Sequence, residues 1–277
     1  VFAGQVETTA YFNAVPGENA DALVEQAIAD GADVVFTTSP KLVGASLRAA
    51  VKHPQVRILN CSMEMPYASI RTYYTRVYEA KFITGAIAGA MAKDDQVGYV
   101  ASYPIFGVPA GINAFALGAR LANPRVKIYL HWSCTPGNAL DLFTRQGISI
   151  ISNRDIPTPD LPQQDWGVYQ VGPGGAIQPL ASPYWHWGRF YEKMIRSILN
   201  GALNAEHSEQ AVNYWWGMSS GVVDVRIDPS LPDGVQHLAE ILKRGIVDGS
   251  IDPFHRLISS QDGTLRNDGN QWYSPEE

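Results

Sequence analysis

Cysteine is scarce in this chain of 277 residues, which contains only Cys61 and Cys134. Two cysteines cannot build the framework of bridges that holds small secreted proteins together, so the fold must depend on a hydrophobic core. The six histidines show no His-x-x-x-His spacing, and there is no Cys-x-x-Cys pair and no glycine-rich phosphate-binding motif. We therefore expect neither a metal site nor a bound cofactor.

Positive charge and long apolar runs are also lacking. Lys and Arg number 21 against 27 Asp and Glu, which gives a net charge of −6. A nucleic-acid-binding surface needs the opposite balance, so we expect no nucleic-acid partner. The chain has no run of about 18 apolar residues that could span a membrane. With 45% hydrophobic and 17% charged residues, it can still form a substantial core.

Along the chain, short apolar runs alternate with amphipathic segments. Residues 6–12, 33–37 and 56–59 are predicted as strands, with helices at 19–30 and 41–52 between them. Further helices are predicted at 79–92, 110–122, 139–146, 187–199 and 234–244, and further strands at 96–102, 126–131, 148–152 and 167–171. This alternation predicts an α/β fold of two units with parallel sheets, in which a ligand binds beyond the carboxyl ends of the strands.

Several segments, in order along nearly the whole chain, resemble one known family. They are NAVP (13–16), GADVVFTTS (31–39), RVYEA (76–80), GAIAG (85–89), VGYVASYPI (97–105), GINAFALGA (111–119), LAS (180–182) and WHWG (185–188). Their sequence and spacing resemble the basic membrane protein (BMP) family, whose members are substrate-binding proteins of ABC transporters related to purine-nucleoside receptors. Arg76 and Glu79, inside the third segment, are expected to form a structural ion pair.

The resemblance implies a type I periplasmic-binding fold, with two doubly wound parallel-sheet lobes joined by three crossovers. We expect residues 1–76 with 181–216 in one lobe, and 77–180 with 217–277 in the other. Compared with the family pattern, the opening strand is missing from this sequence, and we therefore expect a fragment of a longer protein. The resemblance also implies a small-molecule ligand of the purine type held between the lobes, delivery to an ABC permease, and an exported protein anchored by lipid through a segment outside this chain.

Two departures from the family pattern favour a nucleobase over a nucleoside. The turn in which relatives place a ribose-binding Asp reads Gly172-Pro173-Gly174-Gly175, so that carboxylate is absent. A lysine that relatives use near the third crossover aligns with Trp185. Glycine thus replaces the carboxylate and an indole replaces the ammonium, the two groups with which relatives would bind the diol of a sugar.

The candidate ligand-binding residues lie where predicted strands end. Trp185, Trp132, Phe106 and Tyr103 offer aromatic faces, and a base stacked on such a face gains about 1–3 kcal/mol. Each of these could instead pack in a core, as we expect for Trp187.

The polar candidates are Asp155, Asn153, Ser39 and Ser62, together with the backbone at Gly174. A carboxylate accepts from ring or amine N–H groups, while an Asn amide both donates and accepts. The same residue types are common in turns and helix caps, so a structural role explains them equally well.

Two other functions remain open. The same fold serves as a ligand-sensing domain in signalling and regulatory proteins. Gly217-Met218-Ser219-Ser220-Gly221 also fits the G-x-S-x-G motif of α/β hydrolases, with Ser219 as nucleophile. That motif needs a helix after it, and the residues that follow, Val222–Val225, are typical of a strand, so we do not expect an enzyme.

Overall fold

The computed structural model describes residues 2–7, 9–62, 69–104, 107–156, 166–201, 213–260 and 262–273. Its helices are α1 Ala20–Ala29, α2 Val43–Lys52, α3 Val77–Met91, α4 Val108–Ala122, α5 Ala139–Arg145, α6 Trp187–Leu199 and α7 Asp233–Asp248. Its strands are β1 Val34–Thr37, β2 Arg57–Cys61, β3 Arg71–Thr75, β4 Gln96–Ala101, β5 Lys127–Trp132, β6 Ile150–Ser152, β7 Val168–Val171, β8 Ile177–Trp185, β9 Asn213–Trp216, β10 Val223–Ile227, β11 Leu257–Ser259 and β12 Leu265–Asp268. The α/β class is as predicted.

The chain divides into two compact units. Unit 1 comprises residues 1–75 and 187–215, and unit 2 comprises 76–186 and 216–277. The chain therefore crosses between the units three times. The middle crossover differs most from the predicted boundary at residue 180, because 181–185 complete strand β8 and pair inside the sheet of unit 2.

Unit 1 is built on a four-stranded sheet of order β1-β2-β3-β9. Strands β1, β2 and β3 run parallel. The short apolar runs predicted β1 and β2, whereas β3 was not predicted. One small apolar core, formed with α1 and α2, contains Val24, Ala49, Ala50, Ile58 and Ile70.

The predicted strand at residues 6–12 is wrong. Apart from an isolated bridge between Ala3 and Val6, the described residues of that segment pair with no strand. A strand needs a partner for its backbone N–H and C=O groups, and apolar alternation alone does not supply one.

Unit 2 is built on a six-stranded sheet of order β10-β8-β7-β6-β4-β5. Strands β5, β4 and β6 are parallel. Strands β7, β8 and β10 each run antiparallel to their neighbour, so the expectation of a wholly parallel sheet must be corrected. A parallel neighbour needs a crossover connection, usually a helix, whereas an antiparallel neighbour does not, and the local sequence of β7 does not show which of the two applies.

Helices α3 and α4 pack against each other unusually closely. A side chain at Gly85 would overlap the backbone carbonyl of Phe115, and one at Gly118 would overlap that of Phe82. The small residues of the GAIAG segment thus bring the two helix backbones together. The central part of α3, from Glu79 to Gly89, is buried as a result, which fits its largely apolar composition.

Candidate functional site

The carboxyl ends of three parallel strands meet at one edge of the unit 2 sheet. Strand β4 leads to Tyr103, β5 ends at Trp132, and β6 leads to Asn153 and Asp155. Because β4 lies between β5 and β6, the structure brings these predicted residues to a common edge. Phe106 lies outside the described residues.

Asp155 forms an ion pair that the sequence analysis did not anticipate. Its Oδ1 accepts a hydrogen bond of 2.5 Å from Nζ of Lys81, in the second turn of α3. The Lys81 side chain is only 6% exposed, whereas that of Asp155 is 22% exposed. The pair thus joins a buried ammonium to a carboxylate that still reaches the surface of unit 2.

The aromatic ring of Tyr99 lies next to the ammonium of Lys81. Nζ of Lys81 lies 5.1 Å from the centre of the Tyr99 ring. Burial alone would lower the pKa of Lys81, but the charge of Asp155 and the contact with Tyr99 raise it overall, so the side chain remains an ammonium. Ser152 pairs in register with Tyr99 and therefore lies on the same face of the sheet. Within the described part of the chain, its buried Oγ has no hydrogen-bond partner.

The two candidate tryptophans are half-buried. Trp132 and Trp185 end β5 and β8, and both pack against the main core of unit 2. Strand β8 runs in the same direction as β6, so Trp185 lies at the same sheet edge as Asp155. Tyr103, in contrast, is 59% exposed. Neither tryptophan is sealed in the core, so both retain surface for a ligand.

Gly174 does not lie with these residues. It occupies a 3-10 turn, Pro173–Gly175, that joins β7 to β8, with a φ of 72° that favours glycine. Strand β7 runs opposite to β6, so this turn is at the other edge of the sheet. The expectation assumed a parallel β7, which would have placed Gly174 beside Asp155.

Asn153 and Ser39 have local structural partners. The backbone N–H of Asn153 donates to the carbonyl of Gly167 over 2.8 Å. In unit 1, Oγ of Ser39 accepts from the N–H of Lys41 over 3.3 Å and caps a 3-10 turn at Pro40–Leu42. Cap chemistry, the alternative considered for Ser39, is therefore present.

Ser62 follows strand β2 at the carboxyl edge of the unit 1 sheet. It is fully buried, and its Oγ has no hydrogen-bond partner among the residues that the structure describes. Asn60, two residues earlier, donates from Nδ2 to Oγ1 of Thr37 over 2.8 Å and to the carbonyl of Ser39 over 3.0 Å. Its Oδ1 is also unpartnered. Buried polar atoms of this kind are rare, which makes this edge the second group of candidate contacts.

The G-x-S-x-G segment does not form a nucleophile elbow. Met218–Ser220 form a 3-10 turn followed by β10, where the elbow requires a helix. The backbone N–H of Met218 donates to Oε2 of Glu79 over 2.6 Å, and a side chain at Gly217 would overlap that carboxylate. Arg76 lies 3.8 Å from Oε1 of Glu79, as expected for a structural pair. Gly217 leaves space for the Glu79 carboxylate, and the turn at Met218–Ser220 supplies its N–H donor.

Within the described residues, no three His, Cys, Asp or Glu side chains converge as metal ligands would. The helices of these residues also include none with the length and apolar character needed to cross a bilayer. Cys61 is buried and Cys134 is exposed, and both are free thiols.

Comparison with known proteins adds independent information. Residues 7–137 match the family model Bmp, described as ABC transporter substrate-binding protein PnrA-like. A purine-binding protein of Brucella abortus is 29% identical over 94% of this chain and 76% of its own length. A candidate ABC transporter glucose-binding protein of Haloferax volcanii is 27% identical over 77% of this chain and 56% of its own length.

Solved structures support the fold. A transcriptional activator of the comK gene from Bacillus halodurans superposes with a TM-score of 0.65 at 15% identity, over 85% of this chain and 86% of its own. An ABC transporter solute-binding protein from Conexibacter woesei superposes with a TM-score of 0.60 at 15% identity, over 84% of this chain and 83% of its own. At such identities these matches concern the fold alone.

Substrate-binding proteins of the matched family bind a small molecule for a membrane permease, are typically extracytoplasmic and are in general not enzymes. The resemblance seen in the sequence is therefore confirmed as a match of residues 7–137 to the PnrA-like model of the BMP family, and the α/β fold of the chain is similar to that of solved ABC transporter solute-binding proteins.

Proposed function

We propose that this protein binds a purine-type ligand, a free nucleobase rather than a nucleoside, and delivers it unchanged to an ABC importer. The observation that carries the proposal is the similarity to the Brucella purine-binding protein over 94% of the chain. We further propose an extracytoplasmic location. Anchorage by lipid and contact of one ligand with both units stay predictions.

The unit 2 edge offers chemistry suited to a base. Trp185 and Trp132 present partly exposed indoles, and an aromatic face binds the flat surface of a heterocycle. Asp155 has a carboxylate oxygen outside its bond to Lys81, able to accept from a ring N–H or an exocyclic amine. These groups favour a planar ligand that carries N–H donors.

The preference for a base over a nucleoside depends on what the chain lacks at the family's ribose position. The resemblance places a lysine of relatives at Trp185, whose indole carries no charge, whereas the turn at Gly172–Gly175 lies at the other edge of the sheet and does not contribute to this argument. A sugar diol is normally held by charged hydrogen-bonding groups of this kind. Without such a charged group, we expect ribose to add little to the binding affinity.

Isothermal titration calorimetry tests this function directly. Adenine, guanine, hypoxanthine, xanthine and their nucleosides would each be titrated into the protein, with glucose included because of the Haloferax relative. We expect at least one base to bind more tightly than its nucleoside. Nucleosides binding much more tightly than all bases would overturn the base assignment, and binding of glucose alone would overturn the purine class.

Chromatography of each ligand recovered after incubation provides the second readout. We expect every compound to be recovered unaltered. Any product formed in proportion to protein concentration would contradict a binding function without chemistry.

A further inference from the structure

Lys81 is a charged residue in one of the most buried helices of the protein. Its neighbours in α3 from Glu79 to Gly89 are all buried, and the Lys81 side chain is itself 6% exposed. A buried ammonium is strongly unfavourable unless a nearby negative charge compensates it. Asp155 supplies that charge at 2.5 Å, so the position of Lys81 and that of Asp155 depend on each other.

Asp155 uses only part of its hydrogen-bonding capacity in this pair. Oδ1 receives the Lys81 hydrogen bond, and no bond to Oδ2 is found among the described residues. At 22% exposure, the carboxylate is neither buried with Lys81 nor fully hydrated. Its second oxygen is therefore available to a ligand, in an orientation that the first oxygen's bond restricts.

We propose that Lys81 is a positioning residue of the ligand site, holding the carboxylate of Asp155 so that Oδ2 accepts a hydrogen bond from an N–H donor of the ligand's heterocycle. The inference depends on the proposed function, because it takes Asp155 as the group that reads the edge of the base. Lys81 itself does not touch the ligand.

The surroundings of Lys81 explain how it can hold Asp155 in place. The Tyr99 ring lies against Nζ on one side, and the Lys81 stem passes close to Gly111 of α4, where a side chain would contact Cγ at 3.7 Å. The ammonium is thus enclosed by residues of a rigid helix pair and a central strand. A carboxylate bound to a fixed donor needs less reorganisation to bind a ligand than one that moves freely in water.

The test compares ligands that differ by one donor. Adenine with purine isolates the 6-amino group, guanine with hypoxanthine isolates the 2-amino group, and adenine with 9-methyladenine isolates a ring N–H. Calorimetry would give the affinity ratio within each pair for the wild type and for Lys81→Met, Asp155→Asn and the double variant.

We expect the wild type to prefer the donor-bearing member of at least one pair. In Lys81→Met and in Asp155→Asn that preference should fall by about tenfold, and the double variant should lose no more than either single one. Lys81→Arg, which keeps the charge, should retain part of the preference. It also serves as the test variant if Lys81→Met does not fold.

A merely structural role for Lys81 predicts a different result. Affinity for both members of every pair would then fall together, with the ratio unchanged, and this outcome would overturn the inference. An altered ratio in Asp155→Asn with an unchanged ratio in Lys81→Met or Lys81→Arg would overturn it while leaving Asp155 in the site. If the wild type binds no base at all, the proposed function itself fails.

Discussion

Asp155 and Lys81 show what single residues in this sequence can and cannot reveal. Asp155 was predictable, because a polar residue after a buried strand lies at the carboxyl edge of a sheet where ligands bind. The role of Lys81 as the partner of Asp155 was not predicted, because the helical periodicity marks Lys81 only as a polar position. A signal existed nonetheless: one lysine stands among the small apolar residues AKFITGAIAGA, and a buried lysine requires a partner.

Replacing Trp185 with Ala should weaken base binding by about 1–3 kcal/mol, because a stacking surface is removed. Calorimetry with the ligand that the wild type binds best measures the change. Trp272→Ala is the matched control, since Trp272 is also in unit 2, is exposed, stacks on His255 and does not belong to a strand of the six-stranded sheet. Equal affinities of Trp185→Ala and wild type would remove Trp185 from the site.

Glu79 should make the stability of the protein depend on pH. Burial raises its pKa from 4.5 to about 6, against the opposing effects of the Met218 N–H and Arg76. Between these values the folded state holds a proton that the unfolded state has released, so the free energy of unfolding falls as pH rises through this window. The raised pKa corresponds to about 2 kcal/mol.

Glu79→Gln should therefore flatten this part of the stability profile, because the amide oxygen can still accept from Met218 but does not ionise. Thermal midpoints measured by circular dichroism from pH 4 to 7 would show the difference from wild type. Glu240→Gln, which removes an exposed carboxylate from α7, is the control and should keep the slope. A slope that persists in Glu79→Gln would assign it to another group.

At the scale of elements, helices were predicted better than strands. The segment 187–199 was predicted with the bounds that α6 has, because its apolar spacing is regular. Strand β8 was missed, since Pro179 and Pro183 indicate a loop, and prolines enter strands mainly at edges and irregularities. Here the register shifts on the neighbouring strand between Val168 and Tyr169, opposite Pro179. The direction of β7 depends on pairing across the sheet, which local sequence does not encode.

The close contact of α3 with α4 makes Gly118 sensitive to substitution. Gly118→Ala should lower the free energy of unfolding by about 3 kcal/mol, because the new methyl group overlaps the carbonyl of Phe82 and must separate the helices. Chemical denaturation followed by circular dichroism measures the loss. Gly234→Ala in α7 is the control, since nothing lies within 4 Å of the added methyl, and it should be neutral or slightly stabilising. Equal stability of both variants would contradict the tight helix contact.

On the scale of the whole molecule, the apolar core is unevenly distributed. Unit 2 has a large continuous core around α3, α4 and its sheet. The described core residues of unit 1 form two small apolar clusters and a separate aromatic group around Tyr73 and Phe190. The sequence predicted two units but not this inequality, because the amount buried depends on packing between elements distant in sequence. Local stability should follow the buried apolar contacts.

Hydrogen–deuterium exchange measured by mass spectrometry should therefore show the slowest amide exchange in α3 and β4. Amides in α1 and β1 should exchange earlier, because fewer apolar contacts oppose local opening there. The comparison is internal to one experiment, so each unit serves as the reference for the other. Similar protection in both units would contradict the inferred inequality.

The three crossovers have a consequence for the order in which the protein is made. Residues 76–186, a continuous stretch of unit 2 that contains β4 to β8, leave the ribosome before residues 187–215, which unit 1 needs for α6 and β9. Residues 1–75 therefore lack α6 and β9 of their own unit while residues 76–186 are being translated. During synthesis, residues 1–75 thus emerge as part of a unit that is completed only after residues 76–186 of the other unit have been translated.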